Sequence, residues 1–166
     1  SGDNPTAGSS SDCVGFLRRL LEDPRTENLP SPALFGGIYD PEATLRCKGN
    51  VGQELTLTFG AKFDKVTTVP ITATGRVMAY VEGWDKFPSN KSDIVLFRTG
   101  NVDIVLAEKH IGYTSPEVFA DLGRDLHEAQ IVVCKLGYLT AAQAAVSQRS
   151  IMALSTKERM RFFIRS

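Results

Sequence analysis

Side chains suited to metal binding or nucleophilic attack are scarce in this sequence. Among 166 residues there are two histidines, His110 and His127, and three cysteines, Cys13, Cys47 and Cys134. Neither histidine belongs to an H-E-x-x-H pair, so a complete metal site built by this chain alone is not expected. The cysteines are odd in number, far apart and without a C-x-x-C pair, which argues against a disulfide framework. The simpler expectation is reduced thiols, at least two of them packed as small apolar groups in a cytosolic protein. Net charge is missing too. The 19 Lys and Arg are offset by 19 Asp and Glu, which removes the electrostatic footprint of a nucleic-acid binder, though not a local basic patch. No run approaches the roughly 18 apolar residues that cross a bilayer, and residues 1–12 are polar rather than a charged stub before an apolar signal core. Neither nucleic acid nor a membrane is an expected partner, and a cytoplasmic location is expected. There is no G-x-x-x-x-G-K-[ST] phosphate loop and no G-x-S-x-G nucleophile elbow.

What is present is the composition of an ordinary globular domain, with 42% hydrophobic and 23% charged residues. At this length a domain buries roughly 68–70% of its unfolded surface, enough for one core without staples. Residues 1–12, SGDNPTAGSSSD, hold no large apolar side chain and read as a long loop. Ser11 or Asp12 is placed to cap a helix over residues 12–23, where Phe16, Leu17, Leu20 and Leu21 share one face and Asp23-Pro24 closes it. Residues 25–32 form a polar connection to the apolar run Ala33 to Tyr39, a strand. Asp40-Pro41-Glu42 has the form of an N-cap with proline at the first helical position, so a short helix is expected over residues 41–48.

The middle of the chain alternates. Leu55, Leu57 and Phe59 oppose Thr56 and Thr58. Val69, Ile71, Ala73, Gly75, Val77, Ala79 and Val81 recur at period two against Thr72, Thr74, Arg76 and Tyr80, as in a strand with one buried face. After a turn region over residues 83–92, Ile94 to Phe97 and Val102 to Leu106 flank Gly100-Asn101 as a hairpin. Short helices are expected from Ser115 to Leu122 and from Ala141 to Val146. Strands are expected at Ile131 to Lys135, buried on both faces, and at Ile151 to Leu154. The last ten residues carry Lys157, Arg159, Arg161 and Arg165 around Met160, Phe162, Phe163 and Ile164. The fold class is thus α/β in the mixed α+β sense: one domain, a mixed and largely antiparallel sheet, and short flanking helices.

Two places offer chemistry. The N-terminal loop runs into a helix start and has the equipment to hold an anion, but it equally serves as a flexible linker with a cap. Lys135 comes after an apolar strand, at the end where α/β proteins place functional side chains. Its simpler reading is a lysine whose stem packs and whose ammonium reaches a carboxylate. His110 and His127 read as surface or boundary histidines.

Taken together and in order, SGDNPTAGSSSD with its helix, GGIYDPEA, GNVGQELTLTFGAK, RTGNVDIVLAEK, IVVCKLGYL and RSIMALS resemble the C-terminal domain of the MlrC-like metallopeptidases, the microcystinase C family. The resemblance spans residues 1 to about 155. The family's opening Asp-Asn-Pro, small residues and further Asp correspond to Asp3, Asn4, Pro5, Thr6, Ala7, Gly8 and Asp12. It implies an interdomain loop at residues 1–11, the family domain at 12–155 and a divergent basic and aromatic tail at 156–166. The family continues past Ile-Met-Ala-Leu with Thr-Pro-Gly, where this chain has Ser155, Thr156 and Lys157. Many relatives carry Ser and His where this chain has Leu136, Gly137 and Tyr138.

The resemblance further implies that a larger N-terminal domain, absent from this chain, carries the Asp, Glu and His ligands of a catalytic zinc. There a zinc-bound water attacks a peptide carbonyl of a small linear peptide. No zinc is expected on this chain alone. Its implied role is to wall the substrate cleft, with Asp3, Asn4, Thr6, Gly8, Ser9, Lys135 and Tyr138 as candidate contacts. The alternative from another class is a free-standing, non-catalytic binding domain.

Overall fold

The computed structural model describes residues 3–66, 68–86, 90–137, 139–147, 149–154 and 159–164, the last two stretches in part by backbone course alone. Among the described residues eight strands form one sheet: β1 (Ala33–Tyr39), β2 (Glu54–Phe59), β3 (Ile71–Trp84), β4 (Ser92–Thr99), β5 (Val102–Ala107), β6 (Ile131–Cys134), β7 (Arg149–Leu154) and β8 (Arg159–Ile164). Their spatial order is β2-β3-β4-β5-β1-β6-β8-β7. Strand β1 is parallel to both its neighbours, β5 and β6. All other pairings are antiparallel. The helices are α1 (Gly15–Glu22), α2 (Pro24–Glu27), α3 (Pro41–Arg46), α4 (Glu117–Ala120) and α5 (Ala141–Val146), with 3-10 turns at Pro5–Ala7 and Leu126–Glu128.

Central strands are apolar at successive positions because both faces are covered. Phe35, Val95, Phe97, Ile104 and Val133 enter a core with Leu17 and Leu20 of α1 and Ala43 of α3. Their neighbours Leu34, Ile94, Leu96, Val105 and Val132 enter a second core with Tyr113, Val118, Phe119 and Leu122. In β2, Leu57 and Phe59 are buried. On the outer face of the β2–β3 pair the threonine hydroxyls of Thr56 and Thr74, and of Thr58 and Thr72, meet at 2.8 Å.

Several local expectations are corrected. The single-faced alternation through β3 breaks at Met78, because Val77 pairs with Phe97 while Ala79 pairs with Leu96. The extra residue is a β-bulge, and it turns the remainder of the strand over. Ile71, Ala73 and Val77 pack on the first core, whereas Ala79 and Val81 pack on the second and Tyr80 takes the first. Val69 stands before the strand and is exposed. The polar connection after residue 24 contains helix α2, capped by the Asp23 carboxylate on the Arg25 N–H. Residues 4–8 are a capped turn rather than an open loop. Helix α1 has Val14 at its N-cap and no side-chain cap. Asp40 does cap α3, accepting from Ala43 N–H at 3.0 Å. The basic, aromatic end of the chain supplies β8, which lies between β6 and β7.

All three cysteines are free and buried, where reduced thiols with at least two of them packed were expected. No described helix is long and apolar enough to cross a membrane.

Candidate functional site

Strands β1, β5 and β6 run the same way, so Tyr39, Ala107 and Lys135 come out along one edge of the sheet. The N-terminal segment is laid along that edge by hydrogen bonds from each of these strands or the residues after them. Tyr39 N–H donates to the Ser11 carbonyl at 3.0 Å. The His110 ring nitrogen Nε2 lies 3.1 Å from the Ser10 carbonyl. Lys135, whose side chain is wholly buried, donates from Nζ to the carbonyls of Cys13 at 2.8 Å and Ser11 at 3.2 Å and forms an ion pair with Asp3.

This satisfies a buried ammonium with three acceptors, and the same Nζ lies 5.7 Å from the centroid of the Phe35 ring. Such a pair is costly to assemble but more costly to break, because either partner alone is a charge without solvent. Asp3 is itself buried and also accepts from Cys13 N–H at 3.0 Å. Burial raises its carboxyl above the usual carboxylate range, and the Lys135 ammonium opposes that rise without cancelling it. Asp3 Oδ1 and Ser9 Oγ are buried without a hydrogen-bond partner among the described residues.

Between Asp3 and Ser11 the chain rises into a small projecting turn. Asn4 caps it, its Oδ1 accepting from Thr6 N–H at 3.0 Å and from the Thr6 hydroxyl at 2.8 Å. Gly8 closes it in the left-handed conformation, with φ of 76°. Thr6, Ala7 and Gly8 face solvent. The Asn4 amide lies against Gly137, where a β-carbon would stand 3.0 Å from Nδ2. The structure therefore divides the sequence candidates. Asp3 and Lys135 are joined inside, Asn4, Thr6, Gly8 and Ser9 build the turn above them, and Tyr138 lies outside the described residues.

Asp12, expected as a helix cap, has a different partner. Wholly buried, it accepts from Phe63 N–H at 2.6 Å and from Asp64 N–H at 3.2 Å, fifty residues away. Asp40 likewise takes Gly60 N–H at 3.0 Å and the Lys62 ammonium at 2.9 Å besides capping α3. Arg18 donates to the carbonyls of Val69 and Pro70. These bonds pin the β2–β3 loop beside the N-terminal segment. There Phe63 stacks on Tyr39 with centroids 5.0 Å apart, and the His110 ring lies tilted by 32° against Tyr39 at 3.8 Å. Tyr39, Phe63 and His110 come from three separate segments, and no local pattern links them.

The donor set does not fit a zinc ion. Among the described residues no three His, Cys, Asp or Glu side chains gather as metal ligands. Asp3, Asp12 and Asp40 all accept backbone N–H groups, and the His110 ring is engaged with a carbonyl. Zinc ligation would break these bonds.

The sequence matches the family model described as MlrC C-terminus over residues 1–158. The chain belongs to that family. The MlrC C-terminal match takes in the segment laid along the sheet edge and every candidate residue from Asp3 to Tyr138. Among solved structures the chain is similar to a crystal structure of a predicted metallopeptidase from Mesorhizobium sp. BNC1. The TM-score is 0.62 at 16% identity, covering 79% of this chain and 27% of that one. At that identity the likeness establishes the fold, and this chain spans about a quarter of the other's length. No curated protein matches the sequence.

Proposed function

We propose that this chain is the C-terminal accessory domain of a zinc metallopeptidase, walling a cleft for small peptides while a preceding domain holds the metal. Membership of the MlrC C-terminal family supports the reading, as does the greater length of the metallopeptidase whose fold it shares. The observation that carries it is the projecting turn of Pro5–Ala7, clamped over the carboxyl edge of the sheet by wholly buried Lys135. In open α/β sheets that edge is where ligands bind.

Exposure sets the division of labour. Asp3 and Lys135 position the turn from inside. Asn4, Thr6 and Gly8 offer amide, hydroxyl and backbone groups, and none of them ionises near neutral pH. Such groups recognise a peptide backbone by hydrogen bonding and leave bond cleavage to the metal domain. Residues 1–11 serve as the entry from that domain, and Tyr138 is a further contact three positions beyond Lys135.

In the two-domain enzyme, Asn4→Ala and Thr6→Ala are expected to lower kcat/KM on the order of ten-fold, the worth of about one hydrogen bond. Unchanged kinetics in both variants would remove the turn from function. The 166-residue chain alone is expected neither to hydrolyse peptides nor to take up zinc at one ion per chain, and tight stoichiometric zinc binding by metal analysis would overturn the reading.

A further inference from the structure

The β2–β3 loop exposes three large apolar side chains in seven positions: Phe63 at 56%, Val66 at 85% and Val69 at 64% exposure. The same loop is held at both ends. Its backbone is bonded to Asp12 through Phe63, Asp64 and the Ala61 N–H, to Asp40 through Gly60, and to Arg18 through Val69 and Pro70. Backbone anchored on both sides of exposed apolar groups lowers the entropic cost of holding them in an interface.

We propose that Phe63, Val66 and Val69 form the contact surface for the domain that precedes this one in the same polypeptide, an inference that rests on the accessory-domain function. Two observations choose that occupant. First, the N-terminal segment leads to the loop itself, since Asp12 at its end holds Phe63 and Asp64, and Ser10 and Ser11 bond His110 and Tyr39 beside Phe63. A domain joined at residue 1 is delivered to this edge. Second, the patch is small. Three side chains offer on the order of 300 Å² of apolar surface, against roughly 800 Å² per partner in a free-standing interface. A second copy or a separate protein would bind it weakly, whereas a tethered domain works at an effective concentration in the millimolar range.

Thiol labelling tests this directly, because Cys13, Cys47 and Cys134 are all buried and leave a quiet background. Val66→Cys is compared with Val51→Cys, at an exposed residue in the turn between α3 and β2. Each is made both in the 166-residue chain and in the polypeptide that includes the preceding domain. Maleimide should modify the Val66→Cys thiol at least ten-fold more slowly in the longer polypeptide, independently of protein concentration, while the Val51→Cys thiol reacts equally in both. Phe63→Ser in the longer polypeptide should restore fast labelling at position 66. Equal rates for Val66→Cys in the two forms would overturn the proposal. So would protection in the 166-residue chain that grows with concentration, which would mean that copies pair through the loop. Metal content and peptide hydrolysis of the longer polypeptide are read separately. A protected thiol on an inactive, metal-free polypeptide refutes the metallopeptidase reading and leaves the interface standing, and an unprotected thiol on an active zinc enzyme does the reverse.

Discussion

Lys135 donates to the Cys13 carbonyl at 2.8 Å, across 122 positions of sequence, and the same ammonium pairs with Asp3. The end of β6 and the N-terminal segment are thereby one unit. A lysine placed where α/β proteins carry functional groups is here used to hold another segment in place.

Removing that ammonium should be severe. Lys135→Met leaves the Asp3 carboxylate and two carbonyls buried without their donor, and a loss of about 3–5 kcal/mol is expected. Adding Asp3→Asn should cost less than the sum of the single changes, because the unpaired charge is gone. Urea unfolding followed by the single, buried Trp84 measures both. Simple additivity would mean that the pair is not coupled.

Asp12 should control the β2–β3 loop. Asp12→Ala removes the acceptor for the Phe63 and Asp64 N–H groups, at about 0.5–1.5 kcal/mol for each part-buried hydrogen bond lost. Amide exchange at those two residues should accelerate well before that of β5, whose six residues are all buried. Exchange rates identical to the parent would refute this role.

Acid should act on the cap of α2 in a defined window. Hydrogen bonding from the Arg25 side chain, aided by the Arg25 N–H, lowers the Asp23 carboxyl to about 2 from an ordinary 3.8. A depressed carboxyl contributes stability that is fully present above the unfolded value and lost as pH falls through the folded one. The contribution is therefore complete above about 4 and disappears towards pH 2. Carboxyl titration by NMR should show the low midpoint, and Arg25→Ala should move it upward; a midpoint near 4 in the parent protein would contradict the pairing.

The thiols should be silent until the protein unfolds. Burial pushes Cys47 up to about 11 and Cys134 up to about 12, so thiolate is scarce at pH 8. Ellman's reagent should report no rapid equivalent in the folded protein and three after denaturation. One fast equivalent in the native state would mean that a thiol is accessible.

Gly75 should not accept a side chain. A β-carbon there would lie 2.2 Å from the Arg98 carbonyl oxygen, a backbone atom of the paired strand that has no room to yield. Gly75→Ala is expected to cost about 1–3 kcal/mol by forcing β3 and β4 apart, measurable as a lowered melting temperature.

The strands were legible because their apolar content is local. Val132 to Cys134 and Ile104 to Leu106 are continuous runs, and continuity signals burial on both faces. The Asp40 cap was legible for the same reason, since its partner is three residues away. Lys135 finding a carboxylate was legible in kind, though the carboxylate itself was not named. What escaped was everything set by distant partners. The bulge at Met78 is a matter of register with β4, the acceptor role of Asp12 depends on residues about fifty positions on, and the ring cluster of Tyr39, Phe63 and His110 joins three segments. The basic tail showed no period strong enough to mark a strand; its strand identity comes from pairing on both sides.

That position of β8, between β6 and β7, has a consequence for biosynthesis. Residues 149–154 leave the ribosome before the strand they pair with, and β6 stays open on one side until residues 159–164 emerge. Strand β8 is thus inserted between two strands already made, and a stop codon ahead of it would expose two bare strand edges to neighbouring chains.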